Sequence, residues 1–132
     1  MGHLWPEGRV LMRTSYFSNI KNVGKPISIA ASAPRWYVGA QYMRLAPKYD
    51  TLKDYKSGKI DKDQYTKEYH EKVLNLLDAD VIYAYLTSIY NEEVTLLCWE
   101  KPGQFCHRNL VAKWFKDQLD IDITELGQDE VV

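Results

Sequence analysis

The sequence has little of what marks several broad protein classes. Its net charge is only −1 over 132 residues, so the basic excess that strong non-specific nucleic-acid binding needs is missing. No apolar run reaches the length of a membrane span, and residues 1–7 lack the apolar core of a signal peptide. Cys98 and Cys106 are the two cysteines, which predicts free thiols in a reducing, cytoplasmic compartment rather than a disulfide scaffold.

What is present is the composition of one folded domain. Hydrophobic residues make up 45% and charged residues 27%, the balance expected of a globular protein with a single core. The 10 tyrosines and 4 tryptophans stand out, and most should be half-buried with the polar atom at a rim. We assign the domain to residues 9–126, with an N-terminal extension at 1–8 and an acidic tail at 127–132.

Apolar periodicity predicts strands that alternate with helices. The predicted strands are 9–17, 26–31, 94–98 and an edge strand at 120–125, and the predicted helices are 51–56, 61–77, a helix capped by Asp78 or Asp80 that runs to Ile89, and 105–119. This alternation predicts an α/β domain with a mostly parallel sheet flanked by helices. The segment 94–98 is short and wholly apolar, as a buried central strand should be. Ligands of such sheets bind at the carboxyl ends of the strands.

The stretch from Cys98 to Arg108 carries most of the residues with chemical potential. Glu100 lies two positions after the end of the central strand and can point the same way as the strand's last residue. Cys106, His107 and Arg108 open the next helix, where free N–H groups and the helix dipole favour negative charge. With the charge of Arg108, this segment predicts a cradle for a phosphate or carboxylate.

The same stretch resembles a known family signature. Leu96–Glu100 followed by Phe105–Arg108 and an apolar helix is similar to the signature of the domain-of-unknown-function 488 family. Thr14–Phe17, Ser28–Ala30 and Pro34–Trp36 resemble the N-terminal half of that family, so the likeness covers most of the chain. The resemblance implies a single small Rossmann-like domain, and by analogy of fold a nucleotide-like ligand.

Three chemistries remain open for this stretch. Glu100 is suited to acid–base catalysis of N-glycosidic or phosphoester hydrolysis, or it simply locks the turn through an ion pair with Arg108 or Lys101. Cys106 is a candidate nucleophile with His107 as its base. However, adjacent helical residues diverge by about 100°. The same adjacency disfavours a zinc site on both cysteines, His107 and Glu100, so we expect no metal and no cofactor.

These considerations give one set of site residues and three classes of function. The predicted catalytic residues are Glu100, His107 and Cys106, and the predicted ligand-binding residues are Ser15, Tyr16, Arg35, Trp36, Cys98 and Arg108. Arg35 and Trp36 would stack on a base and hold a phosphate. The leading prediction is an enzyme that hydrolyses a nucleotide or nucleoside derivative. The alternatives are a protein that binds such a ligand unchanged, and a protein-interaction module with an exposed apolar patch. The sequence leaves the oligomeric state open.

Overall fold

The fold is a parallel sheet flanked by helices, as the alternation of patterns predicts. A computed structural model describes residues 12–90, 93–100 and 104–126. The strands are β1 (Met12–Tyr16), β2 (Pro26–Ser28), β3 (Ala40–Gln41), β4 (Val94–Cys98) and β5 (Thr124–Glu125), and the helices are α1 (Tyr49–Lys56), α2 (Lys62–Lys72), α3 (Ala79–Tyr90) and α4 (His107–Leu119). Every recorded strand pair is parallel, and the order across the sheet is β3-β2-β4-β1-β5.

The strand β4 lies at the centre of the sheet because both of its faces are apolar. All five of its residues are buried. Since side chains alternate along a strand, Leu96 packs into the large core with residues of α2, α3 and α4. Leu97 packs on the opposite face with Phe17 and Ala30. This two-sided burial confirms the prediction of a central strand and sets Cys98 at its carboxyl end.

Three short 3₁₀ helices complete the chain path, and one of them shortens a predicted helix. The 3₁₀ segments are Phe17–Asn22, Met43–Leu45 and Leu74–Leu76. The predicted helix 61–77 therefore ends earlier, at Lys72, although its N-cap is confirmed, since the Asp61 side chain accepts a hydrogen bond from the Gln64 N–H at 2.8 Å.

The predicted last strand is wrong in length. Asp120 ends α4 in the left-handed conformation, with φ 57°, which interrupts extended pairing. Pairing resumes only at Thr124–Glu125, which lies at the sheet edge beside β1.

Some predicted features lie in parts of the chain that the structure does not describe. Residues 1–8, the strand residues 9–11, the turn at 101–103 and the tail at 127–132 lie outside the described residues. Within the described ranges, none of the helices combines the length and apolar character that crossing a bilayer would require.

Candidate functional site

A cavity opens where the carboxyl ends of β2 and β4 meet the beginning of α4. The parallel register brings these ends to one edge of the sheet, because Ser28 lies opposite Leu97 and the two strands run in the same direction. The cavity encloses about 160 Å³, and its lining residues are Ala30, Ala31, Ser32, Pro47, Leu52, Tyr55, Lys56, Tyr65, Cys98, Trp99, Glu100, Phe105, Cys106 and His107. Its position is the one at which open α/β sheets bind ligands.

The cavity floor contains two cysteines and a histidine that converge. The Nδ1 atom of His107 lies 3.4 Å from the Sγ of Cys98 and 3.9 Å from the Sγ of Cys106. The expected divergence of Cys106 and His107 is wrong. Cys106 is the N-cap of α4 and has extended backbone angles, φ −152° and ψ 148°, so the 100° helical offset applies only from His107 onward.

The orientation of His107 is set by the backbone of a neighbouring strand end. Its Nε2 lies 2.7 Å from the carbonyl oxygen of Ile29. A carbonyl only accepts hydrogen bonds, so Nε2 carries the proton and donates it. In the neutral imidazole, Nδ1 then presents its lone pair to the two sulfur atoms. The ring of Tyr69 packs edge-on against the imidazole at 5.6 Å between centroids.

The two thiols have opposite tendencies to ionise. A hydrogen bond from Cys98 lowers the pKa of Cys106, and the backbone N–H of Arg108 lowers it further, while burial opposes both effects. The same hydrogen bond and burial raise the pKa of Cys98 well above its usual range. Cys106 is therefore the more readily ionised thiol of the pair, and it lies where the N-terminus of α4 favours a negative charge.

Glu100 adds a carboxyl group beside the thiols. The Sγ atom of Cys98 lies 3.9 Å from Oε1 of Glu100. Burial raises the pKa of Glu100, and the negative charge of Cys106 raises it further. Glu100 is only partly buried, so its carboxyl group can exchange protons with a bound ligand.

Aromatic side chains form one wall of the cavity. The rings of Tyr55, Tyr65 and Phe105 contact one another, with centroid separations of 5.2 to 5.5 Å. Trp99 borders the cavity as well, and its indole N–H donates to the carbonyl of Ser32 at 2.7 Å. The indole is thereby tied to the loop that follows β2.

The cysteine and histidine side chains on the floor are also suited to a metal ion. The Sγ atoms of Cys98 and Cys106 and a ring nitrogen of His107 all lie within 4.8 Å of one another, and all three residues are buried. Thiolate sulfur and imidazole nitrogen are the ligands that zinc takes most readily.

Residues 19–119 match the family model DUF488-N3a, described as the active DUF488-N3 subclade. The chain belongs to the domain-of-unknown-function 488 family. The resemblance expected from the Cys98–Arg108 stretch is thereby confirmed. Searches of curated proteins and of solved structures returned no match.

Within this DUF488 domain, the basic residue of the signature turns away from the cavity. Arg108 is fully buried, and its Nε and Nη2 atoms bind the carboxylate of Glu125 at 2.8 to 3.2 Å. Glu125 also accepts a hydrogen bond from the Thr14 hydroxyl at 2.6 Å. Nη1 of Arg108 has no hydrogen-bond partner among the described residues. The alternative in which Glu100 forms an ion pair with Arg108 is therefore wrong, and Arg108 joins α4 to β5.

The other predicted ligand contacts also lie away from the cavity lining of the DUF488 domain. Ser15 is buried, accepts a hydrogen bond from the Asn19 side chain at 3.0 Å and donates to the carbonyl of Leu126 at 3.2 Å. Tyr16 is half-buried at the end of β1, and Arg35 and Trp36 are exposed. Trp36 contacts Phe17 edge-on at 6.4 Å. Cys98, Glu100, Cys106 and His107 are the predicted residues that the fold brings together.

The aromatic wall is the part of the site that sequence patterns missed. Tyr65 lies at helical spacing with Tyr69, which predicts only a core-facing position. Tyr55 lies near the end of a short polar helix, where a half-buried ring is unremarkable. The signal available in the sequence was the unusual number of tyrosines, which does not say which of them share a cavity.

Proposed function

We propose that this protein is a hydrolase that binds a small, ring-containing molecule of the nucleoside or nucleotide class and cleaves its N-glycosidic or phosphoester bond. The observation that carries the proposal is the placement of the Glu100 carboxyl group. It lies inside an aromatic-walled cavity, next to a buried thiol at 3.9 Å. An acid–base group held against a flat binding surface is what such a cleavage needs.

The aromatic wall supports a planar ligand. Tyr55, Tyr65 and Phe105 are already packed against one another, so their rings are ordered before a ligand arrives. Stacking of a nucleobase on such a surface is worth about 1–3 kcal/mol per base. Ala30, Ala31, Pro47, Leu52 and Trp99 add apolar surface to the lining, so binding would displace water from around the reacting bond.

An anionic group on the ligand would bind a residue other than Arg108, which the sequence predicted to hold it. Cys106 occupies the N-cap position of α4, and Arg108 is bound to Glu125. Lys56 is exposed and borders the cavity. A phosphate at the mouth would therefore be held by Lys56, while the ring and its sugar lie deeper, near Glu100.

Glu100 is assigned the proton transfer. As a carboxylic acid it would protonate the departing base or alkoxide, which removes the need to expel a strongly basic anion. The attacking group is a water molecule: its oxygen bonds to the sugar carbon or the phosphorus as one of its protons passes to the Glu100 carboxylate, and Glu100 then gives that proton to the departing group. Cys106 and His107 line the same cavity as Glu100. The description of the matching subclade as active agrees with a catalytic rather than a passive role.

The test is a turnover assay with ligand identification. The reduced protein is incubated with a panel of nucleosides, nucleotides and their ring-modified derivatives, and released products are measured by mass spectrometry. We expect time-dependent cleavage of at least one class by the wild-type chain, and loss of at least about 100-fold in kcat for Glu100→Gln. Glu71→Gln, on the exposed side of α2, is the matched control and should retain wild-type turnover.

Two results would contradict the assignment. Unchanged turnover in Glu100→Gln would remove that residue from catalysis. Recovery of an intact ligand from a tight wild-type complex, with no product at any time, would favour the binding protein that keeps its ligand unchanged.

A further inference from the structure

We infer that Cys98, Cys106 and His107 form a binding site for one zinc-class divalent ion, open on the side of Glu100. Metal binding by these residues is independent of the substrate. The added role of the ion as the source of a hydrolytic water rests on the proposed function.

The spacing of the three donor atoms fits one tetrahedral ion. Zinc lies about 2.3 Å from sulfur and about 2.0–2.1 Å from nitrogen. Tetrahedral angles then place a sulfur and a nitrogen ligand about 3.6 Å apart. The two Sγ–Nδ1 distances, to Cys98 and Cys106, are 3.4 Å and 3.9 Å and lie on either side of that value. All three donor atoms lie within 4.8 Å of one another, so only small rotations would be needed.

The outer contact of His107 is the one that histidine ligands of metals usually make. Its Nε2–H donates to the carbonyl of Ile29 at 2.7 Å. This bond fixes the tautomer and aims the Nδ1 lone pair at the sulfur atoms, and such partners commonly tune metal affinity by about 10–100-fold. The ring is held in this orientation by a residue 78 positions away in the chain.

Burial and charge also favour a cation at this point. Cys98, Cys106 and His107 are only 3%, 3% and 4% exposed. Two thiolates next to each other in such a place would repel each other strongly, but a divalent ion between them would cancel both charges. The two sulfurs and one nitrogen are the donor types that select zinc over magnesium or calcium.

The fourth position of the ion would face the cavity. All three donors line the cavity, and so does Glu100. Three protein ligands with one open position are the pattern of catalytic rather than structural zinc. A water molecule bound there would pass one proton to the Glu100 carboxylate and add to the substrate as hydroxide. Glu100 would return that proton to the departing group, so that water is consumed and no other reactant is needed.

Metal content is tested without any substrate. The reduced protein is stripped with a chelator and titrated with Zn²⁺ against a chromophoric competitor, and native mass spectrometry counts the bound ions. We expect one ion per chain. Titration with Co²⁺ should give a thiolate charge-transfer absorption band and the visible bands of a tetrahedral site. Failure of the folded, reduced wild-type chain to bind one equivalent would overturn the inference.

Variants then locate the ion. Cys98→Ser, Cys106→Ser and His107→Gln should each lower the Zn²⁺ affinity at least as much as the 10–100-fold lost on removing an outer partner. His70→Gln, on α2 and outside the cavity lining, is the matched control. Circular dichroism checks that each variant is folded. Stoichiometric binding unaffected by all three ligand variants would overturn the inference, as would a Cys98–Cys106 disulfide that survives in reducing buffer.

The ion and the hydrolase proposal fail separately. Glu100→Gln should keep one bound ion while losing turnover. One bound ion without turnover of any substrate would leave the metal site intact and refute the proposed function. Full turnover by the chelator-stripped chain would refute the role of the ion in hydrolysis.

Discussion

Replacing Arg108 separates a structural role for this residue from a role in ligand binding. Its guanidinium makes two-pronged contact with Glu125 through distances of 2.8, 3.0 and 3.2 Å. The side chains are 0% and 9% exposed. In Arg108→Met the apolar stem is kept, but the Glu125 carboxylate retains only the Thr14 hydroxyl as a described partner. The structure therefore predicts a stability defect rather than a binding defect.

The magnitude follows from the burial of the pair. Removing one partner of a buried, hydrogen-bonded ion pair costs about 3–5 kcal/mol, a large part of the roughly 5–15 kcal/mol that stabilises a typical domain. With about 4 °C per kcal/mol for a chain of this size, Tm should fall by about 12–20 °C. Arg108→Met combined with Glu125→Leu should recover part of the loss, because no charge is then left unpaired. Thr14 would still lose its acceptor, at about 1–3 kcal/mol.

Urea unfolding followed by tryptophan fluorescence and circular dichroism measures these free energies. Lys113→Met is the matched control on the same helix, since Lys113 pairs with Asp117 at 3.0 Å but is 72% exposed; its cost should stay below about 1 kcal/mol. A change of less than about 1 kcal/mol in Arg108→Met, accompanied by loss of ligand or anion binding, would refute the structural assignment. It would return Arg108 to the anion cradle that the sequence predicts.

Three further substitutions test the cavity wall and two local turns. Tyr55→Leu should weaken binding of a planar ligand by roughly 5- to 150-fold in Kd by calorimetry, because one stacking surface is lost; an equal loss in Tyr49→Leu, which is 77% exposed outside the cavity, would contradict this. Asp61→Ala should lower the free energy of unfolding by about 1 kcal/mol, since the hydrogen bond to the Gln64 N–H is removed, and an unchanged urea midpoint would show that this cap contributes nothing. Gly58→Ala should cost about 1–2 kcal/mol because Gly58 has φ +83°, and a stabilised variant would rule out strain at this turn.

Apolar periodicity and helix-capping residues predicted much of the fold from the sequence alone. The apolar run Val94–Cys98 forms the central strand with the predicted bounds, and Asp61 caps the helix it was expected to begin. Helix α4 begins at His107 and ends at Leu119, within two residues of its predicted start. These features depend on backbone geometry and on which face of an element is apolar, and both repeat along the chain with a fixed period.

Tertiary structure decided which polar groups meet. The sequence placed Cys98, Glu100, Cys106 and His107 in one short stretch, and the fold keeps them together at one cavity. It could not show that the carbonyl of Ile29, 78 residues from His107, orients that imidazole. Nor could the sequence show that the guanidinium of Arg108 binds the carboxylate of Glu125, which lies 17 residues further along the chain.

The physical reason is that a buried polar group must find a partner, and the identity of that partner depends on strand order and register. Apolar periodicity predicts that Arg108 lies in the first turn of a helix. The pairing of β5 with β1 at the sheet edge is what places Glu125 next to Arg108. The alternation of apolar patterns therefore predicted the class of fold, and the Cys98–Arg108 stretch predicted the location of the candidate site. The packing of distant strand ends decided that two thiols, one imidazole and one carboxyl group face the cavity while the arginine faces the protein interior.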